Sequence, residues 1–355
     1  MSNFQIYGLN DHQWNEIVKS FGKYDIYYLS NYVKAFKIHG DGEPLLLYYK
    51  SSELRGLVVM IKRDIAQLPP FESIIPLGQY YDIVTPYGYG GFLFEGCTSQ
   101  DKMNEFNKEY AAFIEDEHII SEFVRYHPQI SNAEDMRAIS TVIDLGKTIS
   151  MDLKSTELIW SNITSTNRNM IRKAQRSGIK ICHGKDLALF DDFMRIYNST
   201  MEKDHADAYY YFSKEFYTSI HTDLYENFEM FYALLDEKIV AMSIMIYANK
   251  HMHYHLSGSD FEYRNLAPTN LLLYEAACWG HEQGFSTMHL GGGFGSGEDN
   301  LFKFKKAFNR NSDNRFSIGK RVFNQKVYDD LVSIRNREAF FCNDSSYFPL
   351  YRSEN

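Results

Sequence analysis

Residues 288–308 read MHLGGGFGSGEDNLFKFKKAF, and this stretch decides the fold. Thr287–Leu290 has the apolar character of a buried strand's end. Five glycines among Gly291–Gly297 follow, a run that lets backbone turn sharply or approach a neighbour closely. Glu298, Asp299 and Asn300 suit a helix start. Leu301, Phe302, Phe304 and Phe308 then alternate with Lys303, Lys305 and Lys306, which predicts a short helix with an aromatic and a cationic side. Strand, glycine loop and lysine-bearing helix form a place for an anionic or carbonyl-bearing ligand.

Two nucleotide motifs fail here. A phosphate loop needs Lys and Ser/Thr after its last glycine, but Glu298 and Asp299 follow Gly297. The dinucleotide pattern of three spaced glycines breaks at Ser296.

Upstream, Pro268–Gln283 is apolar, opens on proline and is followed by Gly284, the expected polarity of a helix. Before it, Phe228–Asp236, Lys238–Ala248 and His251–Ser259 read as an antiparallel meander. Alternation along the third strand puts His251, His253, His255 and Ser257 on one face, and Met252, Tyr254 and Leu256 on the other. Three spaced histidines are insufficient for a metal site without a carboxylate or thiolate cluster, so no metal is expected. A single His255 or Tyr254 acting on a substrate proton is the sharper reading.

Thr156–Ile163, Ser165–Ser177, Leu187–Asp204 and Lys214–Leu224 read as helices around a short strand Lys180–His183. Arg315–Phe323 and Gln325–Arg337 close the chain as strand and helix. The first half gives helices at Asp11–Phe21, Tyr28–Ile38 and Asp101–Glu117. Its strands are Pro44–Lys50, Gly56–Arg63, Ile74–Leu77, Tyr80–Val84, Ile119–Tyr126 and Ile139–Leu145. The two halves share one mixed α/β order, predicting tandem domains at 1–147 and 148–355, the second better formed, with a boundary near Gly146–Leu153.

Arg168, Arg172 and Arg176 recur every four residues with Lys173 beside them and no acid between, a cationic stripe. Lys203 precedes Tyr209, Tyr210 and Tyr211, a lysine next to an aromatic wall. No Ser-His-Asp or Cys-His arrangement has a recognisable spacing, which disfavours a covalent hydrolase. The formal charge of −9 argues against a generally basic surface and against DNA, so any nucleic-acid contact must be local. Four scattered cysteines form no Cys-x-x-Cys pair, and the N-terminus lacks a basic-then-apolar leader. The longest apolar stretch, near Ile239–Ala248, is too short to span a bilayer. These features lead us to expect a cytoplasmic chain without an integral membrane segment.

Six segments in order, TPYGYGG (85–91), SEFVRYHP (121–128), TNRNMIRKAQRSG (166–178), YHLSGSD (254–260), LAPTNLLLYEA (266–276) and HLGGG with LFKFKKAF (289–308), together resemble FemAB-like acyltransferases. These are relatives of the GNAT-type N-acetyltransferases and include enzymes that add amino acids to peptidoglycan precursors. The resemblance implies two GNAT-like domains and acyl transfer to an amine without a covalent enzyme intermediate. It implies that the strand matching His251–Ser259 splays from its neighbour and offers backbone N–H to the acyl carbonyl. The motif position matching Lys305, with Lys303 as the alternative, is implicated in stabilising the transition state or binding the donor.

The same resemblance marks Lys34 and Lys203 as acceptor-phosphate positions. Tyr87, Tyr89, Arg168, Arg172, Tyr211, Gly292 and Gly293 complete the expected substrate-binding set. The implied donor is an acyl-CoA, with aminoacyl-tRNA, and hence tRNA as a partner, as the alternative. The implied acceptor is a cell-envelope precursor such as an amino-sugar nucleotide or a polysaccharide unit. A catalytically inactive module binding a sugar nucleotide or peptide is the third reading. The GNAT pyrophosphate loop corresponds to Arg264–Thr269, where both glycine positions are replaced and Pro268 removes an N–H.

Overall fold

The computed structural model describes residues 3–338 and 341–353. The chain divides into two units, Met1–Leu145 with Phe316–Asn355, and Gly146–Arg315. In chain order the elements begin β1 (Phe4–Tyr7), α1 (Gln13–Lys19), α2 (Ser30–His39), β2 (Glu43–Lys50), β3 (Leu54–Asp64), β4 (Tyr81–Val84), β5 (Leu93–Gly96), α3 (Gln100–Asp116), β6 (Ile119–Arg125), α4 (Ala133–Met136) and β7 (Val142–Asp152). They continue α5 (Thr156–Asn162), α6 (Ser165–Arg176), β8 (Lys180–Gly184), α7 (Leu189–Lys203), α8 (Lys214–Asp223), β9 (Phe228–Leu235), β10 (Lys238–Ala248), β11 (His251–Ser259), α9 (Pro268–Glu282), β12 (Thr287–Gly291), α10 (Asn300–Lys306), β13 (Asn314–Val322) and α11 (Gln325–Arg335).

In the first unit the strand order is β1-β2-β3-β4-β6-β13, with β5 also on β3. Among its described strands β4 and β6 pair in parallel, Tyr81 opposite Ile119, with α3 in the connection between them. In the second unit the order is β7-β12-β11-β10-β9-β8. Here β11 and β12 are the parallel pair, with α9 as the crossover. A parallel neighbour needs such a crossover, so each unit repeats one device at one place in its sheet. The fold is thus mixed α/β, as expected, with two GNAT-like units.

The second core gathers Ile149, Met151, Phe231, Met245, Met252 and Met288 beneath Leu271, Leu272, Leu273, Ala276 and Ala277 of α9. Helix α9 is apolar over most of its circumference because the sheet and the α5–α6 pair cover it from two sides. The first core centres on Tyr49, Val58, Met60, Phe106, Tyr110 and Val124.

Two expectations change, and the expected boundary holds. Ile74–Leu77 forms no strand, and Ile74 and Leu77 are exposed, because prolines at 69, 70 and 76 break any ladder there. The expected boundary near Gly146–Leu153 falls beside the division between Leu145 and Gly146, within β7, which continues to Asp152 and pairs with β12, Met151 opposite Met288. The expected second domain ran to residue 355, but from Phe316 the chain is part of the first unit. Ile318–Val322 pair antiparallel with Arg125–Ser121, and Tyr351 and Leu331 pack with Ile65 and Phe71.

Candidate functional site

Strand β11 carries a bulge. Ile244 faces Leu256 but Met245 faces Tyr254, so His255 is the extra residue. Beyond it the alternation inverts. Leu256 falls on the side of His253, and Ser257 on the side of Tyr254, whose hydroxyl donates to Ser257 Oγ at 2.6 Å. The expected row of His251, His253, His255 and Ser257 on one face is therefore corrected: one inserted residue reverses every later side chain. Beyond the bulge Gly258 lies against α7, where a Cβ would come 2.8 Å from the Tyr197 Cα.

The parallel pairing of β11 with β12 runs only from His251↔Thr287 to His253↔His289. Strand β11 then continues to Ser259 without that partner, so the two strands part at their C-terminal ends. An opening of this kind leaves β11 backbone groups available to an extended ligand. Beside it, burial keeps the Tyr254 phenol above its usual range, against the pull of Ser257. Burial and neighbouring His253 push His255 down to about 3. His255 is therefore a neutral imidazole at ordinary pH, able to hydrogen-bond but a weak proton acceptor.

At the end of β12 the glycine loop turns onto α10. Lys305 Nζ donates to the Gly292 carbonyl at 2.7 Å. Burial pulls its ammonium down to about 8, with the Asp299 carboxylate opposing. Asp299 is the N-cap of α10: Oδ1 accepts from Phe302 N at 2.8 Å and Oδ2 from Phe294 N at 3.0 Å. The glycine at 293 answers to this packing, since a Cβ would sit 2.2 Å from Gly297 O and 2.4 Å from Asp299 Oδ1. A Cβ at Gly292 would likewise meet Lys147 O at 2.9 Å. Gly293 thus serves the loop's own closure, and Gly292 its close approach to β7.

The structure separates Lys303 from Lys305. Lys303 is exposed and lies two residues back, on the far side of a helix from Lys305. Arg168 is bound to its own fold: Nη1 donates to Ile163 O at 2.8 Å and Trp160 O at 3.3 Å, closing the end of α5. Arg172 lies over the Trp160 ring, 5.1 Å from its centre, and is exposed, as are Lys173 and Arg176. Lys203 does not face the tyrosine cluster that sequence proximity implied. It lies 4.6 Å above the Phe261 ring, which Arg264 also covers at 3.8 Å, while Tyr211 is exposed beyond a helical turn.

Lys34, Tyr87 and Tyr89 lie in the first unit. Lys34 is exposed on α2, and Tyr87 stacks on Phe36 with centroids 5.3 Å apart. Tyr89 packs edge-on against Tyr27, and burial raises its phenol. Sequence reading missed the buried pair next to them, His127 Nε2 and Asp25 Oδ2 at 2.9 Å. His127 Nδ1 accepts from the amides of Gln129 and Ile130 at 3.3 Å, which fixes the proton on Nε2. No pattern links positions 25 and 127, so only folding could reveal them.

At the start of α9 few amides remain free for a phosphate. Pro268 has none, Ala267 N is bound to Arg264 O at 3.1 Å, and Asn270 N and Leu271 N both turn to Ala267 O.

Residues 162–306 match the family model described as the acetyltransferase (GNAT) domain. That segment lies within the second unit and covers most of it. Among solved structures, FemX is similar over 92% of this chain and 99% of its own, at 13% identity and a TM-score of 0.67. A conserved protein of unknown function from Bacteroides thetaiotaomicron is similar over 90% of this chain and 100% of its own, at 11% identity and a TM-score of 0.56. At such identities the likeness is one of fold. No curated protein matches the sequence. The resemblance to FemAB-like acyltransferases stands on the domain match and on this shared fold. Among the described residues no helix is long and apolar enough to cross a membrane.

Proposed function

We propose that the chain transfers an acyl group to an amine of a cell-envelope precursor, such as an amino-sugar nucleotide or polysaccharide unit, by direct attack. The observation that carries this reading is the position of Lys305, held on Gly292 at the end where β11 and β12 part. The acyl carbonyl lies in that opening. The amine nitrogen attacks its carbon, a C–N bond forms, the bond to the carrier breaks, and the proton that the nitrogen loses passes to the departing sulfur or oxygen of the carrier. Lys305 and β11 N–H groups stabilise the oxyanion as it develops. Tyr254 and the neutral His255 orient the amine by hydrogen bonds. The protonated lysine is the useful form, because a cation beside a forming oxyanion gains most in a water-poor site.

In this reading the donor is an acyl-CoA, as the GNAT domain implies. A second reading, aminoacyl-tRNA as donor, is favoured by one observation: the α9 start leaves few free amides to cradle a CoA diphosphate. The test is a transfer assay with labelled acetyl-CoA or charged tRNA and amino-sugar nucleotide acceptors, read by mass spectrometry. Product from either donor that disappears in Lys305→Ala supports the proposal. Full activity in a folded Lys305→Ala protein overturns the assigned role.

A further inference from the structure

The far side of α10 carries a second cationic feature with no part in the chemistry above. Lys303 and Lys306 are three residues apart and share one side of the helix, whereas Lys305 is turned to the glycine loop. With Arg310 in the turn that follows and Lys147 from β7, they line a cavity of about 350 Å³, next to Thr164 and with Glu298 as its one carboxylate. The walls are fixed by backbone. Thr164 N donates to Ala307 O at 3.0 Å, and Arg310 N to Asn162 O at 3.2 Å, so the α5–α6 junction is tied to the end of α10. Two of the cations have neighbours already: Lys147 pairs with Asp313 at 2.9 Å and Lys306 donates to Ser312 O. Lys303 and Arg310 have no acidic partner within ion-pair distance among the described residues.

Beside the Lys147–Asp313 pair, Lys303 and Arg310 add two cations without an acidic partner of their own, and an anion that joins them relieves their mutual repulsion. The chain places these charges deliberately close from positions 147 and 303–310, in a protein whose net charge is −9. Arginine with lysine in a concave site is the composition that holds phosphate oxygens. We propose that this cavity binds the phosphate or diphosphate group of a small ligand, at a site separate from the acyl-transfer opening. Its compact volume suits a phosphorylated small molecule better than a nucleic-acid backbone, which needs an open track of cations. The inference does not depend on the acyl-transfer reading, because it uses the opposite side of α10.

Thermal unfolding and calorimetry with inorganic pyrophosphate, at ionic strength matched with chloride, test it. The expected result is a midpoint raised by a few degrees at millimolar pyrophosphate. The double variant Lys303→Ala/Arg310→Ala, both positions exposed and so compatible with folding, loses that rise, whereas Lys305→Ala keeps it. Absence of any rise in the wild type, or an equal rise in the double variant, overturns the proposal. So does binding of a short single-stranded RNA, steeply weakened by salt, in the absence of pyrophosphate binding; that outcome assigns the surface to a polyanion instead.

Discussion

The ammonium of Lys305 lies 2.7 Å from the carbonyl oxygen of Gly292, so the lysine after the glycine loop is bonded to the loop itself. The side chain is thereby aimed before any substrate arrives. Lys305→Ala is expected to lower kcat by roughly 100-fold or more, the order seen when one oxyanion donor is removed, with a smaller change in KM. Lys303→Ala, on the other side of α10, is expected to leave kcat near wild type. Steady-state kinetics on both variants, with circular dichroism as the folding control, decide between them.

The ammonium's displacement to about 8 has a consequence for stability. Below that value both folded and unfolded chains carry the proton, and the cost of burying the charge is fully present. Between about 8 and the unfolded value near 10.4 the folded state sheds its proton first, so stability rises with pH. Urea unfolding of wild type and Lys305→Met should show the variant more stable at pH 7, with the gap closing by pH 10. A gap that stays constant would remove burial as the cause. Activity that requires the charged lysine should fall across the same range above about pH 8.

Asp299 holds two amides of the loop and helix at once. Asp299→Ala should lower the urea midpoint and reduce kcat together, because the loop that aims Lys305 loses its brace. Asp299→Asn, which keeps one acceptor oxygen but turns an NH2 toward the other amide, should restore only part of each.

Two glycines in this loop should respond differently to alanine. Gly293→Ala forces a Cβ against Gly297 O and Asp299 Oδ1 and should destabilise by about 1–3 kcal/mol. Gly295→Ala meets nothing within 4 Å but sits at φ +57, so only the backbone cost of roughly 1 kcal/mol applies. Denaturant midpoints at unchanged m-values measure the difference.

In the first unit, Asp82 is buried between Arg63, at 2.6 Å, and Arg352, and also accepts from Tyr351 at 3.0 Å. Burial pulls its carboxyl up, but the two guanidinium groups prevail and hold it below the usual range. Its contribution is present above the unfolded value near 3.9 and lost as pH falls through the folded one. Asp82→Ala leaves two buried cations without their partner and should cost about 3–5 kcal/mol. Below pH 4 the wild type should lose stability with a steeper slope than Asp82→Asn, as measured by urea unfolding from pH 6 to pH 2.

Most of the element order was legible in the sequence because its signals are local. Pro268 and Gly284 bracket α9, the meander of β9–β11 is written in three apolar runs, and Asp299 marks the start of α10. The two strands that escaped reading, Phe4–Tyr7 and Leu93–Gly96, are four residues each and too short for any periodicity to show. The site was less legible. Lys203 and Tyr211 are close in sequence but are not brought together, since the turn at residues 208–210 carries the tyrosines away while Phe261 takes the lysine.

The sequence by itself determined a tandem mixed α/β chain with a lysine helix following a glycine loop, because hydrophobic period and turn residues act over a few positions. Tertiary structure alone decided the rest. The bulge at His255 reverses the second half of β11, and it exists only in register against β10. The return of Phe316 and beyond to the first unit is a long-range pairing with β6. That Lys305 and not Lys303 is bonded to Gly292 depends on which side of α10 meets the loop, and the cationic cavity joins Lys147 to a helix more than 150 residues later. Each is a contact between distant positions, whose free energy arises only when the sheet has closed and water has left the groups it brings together.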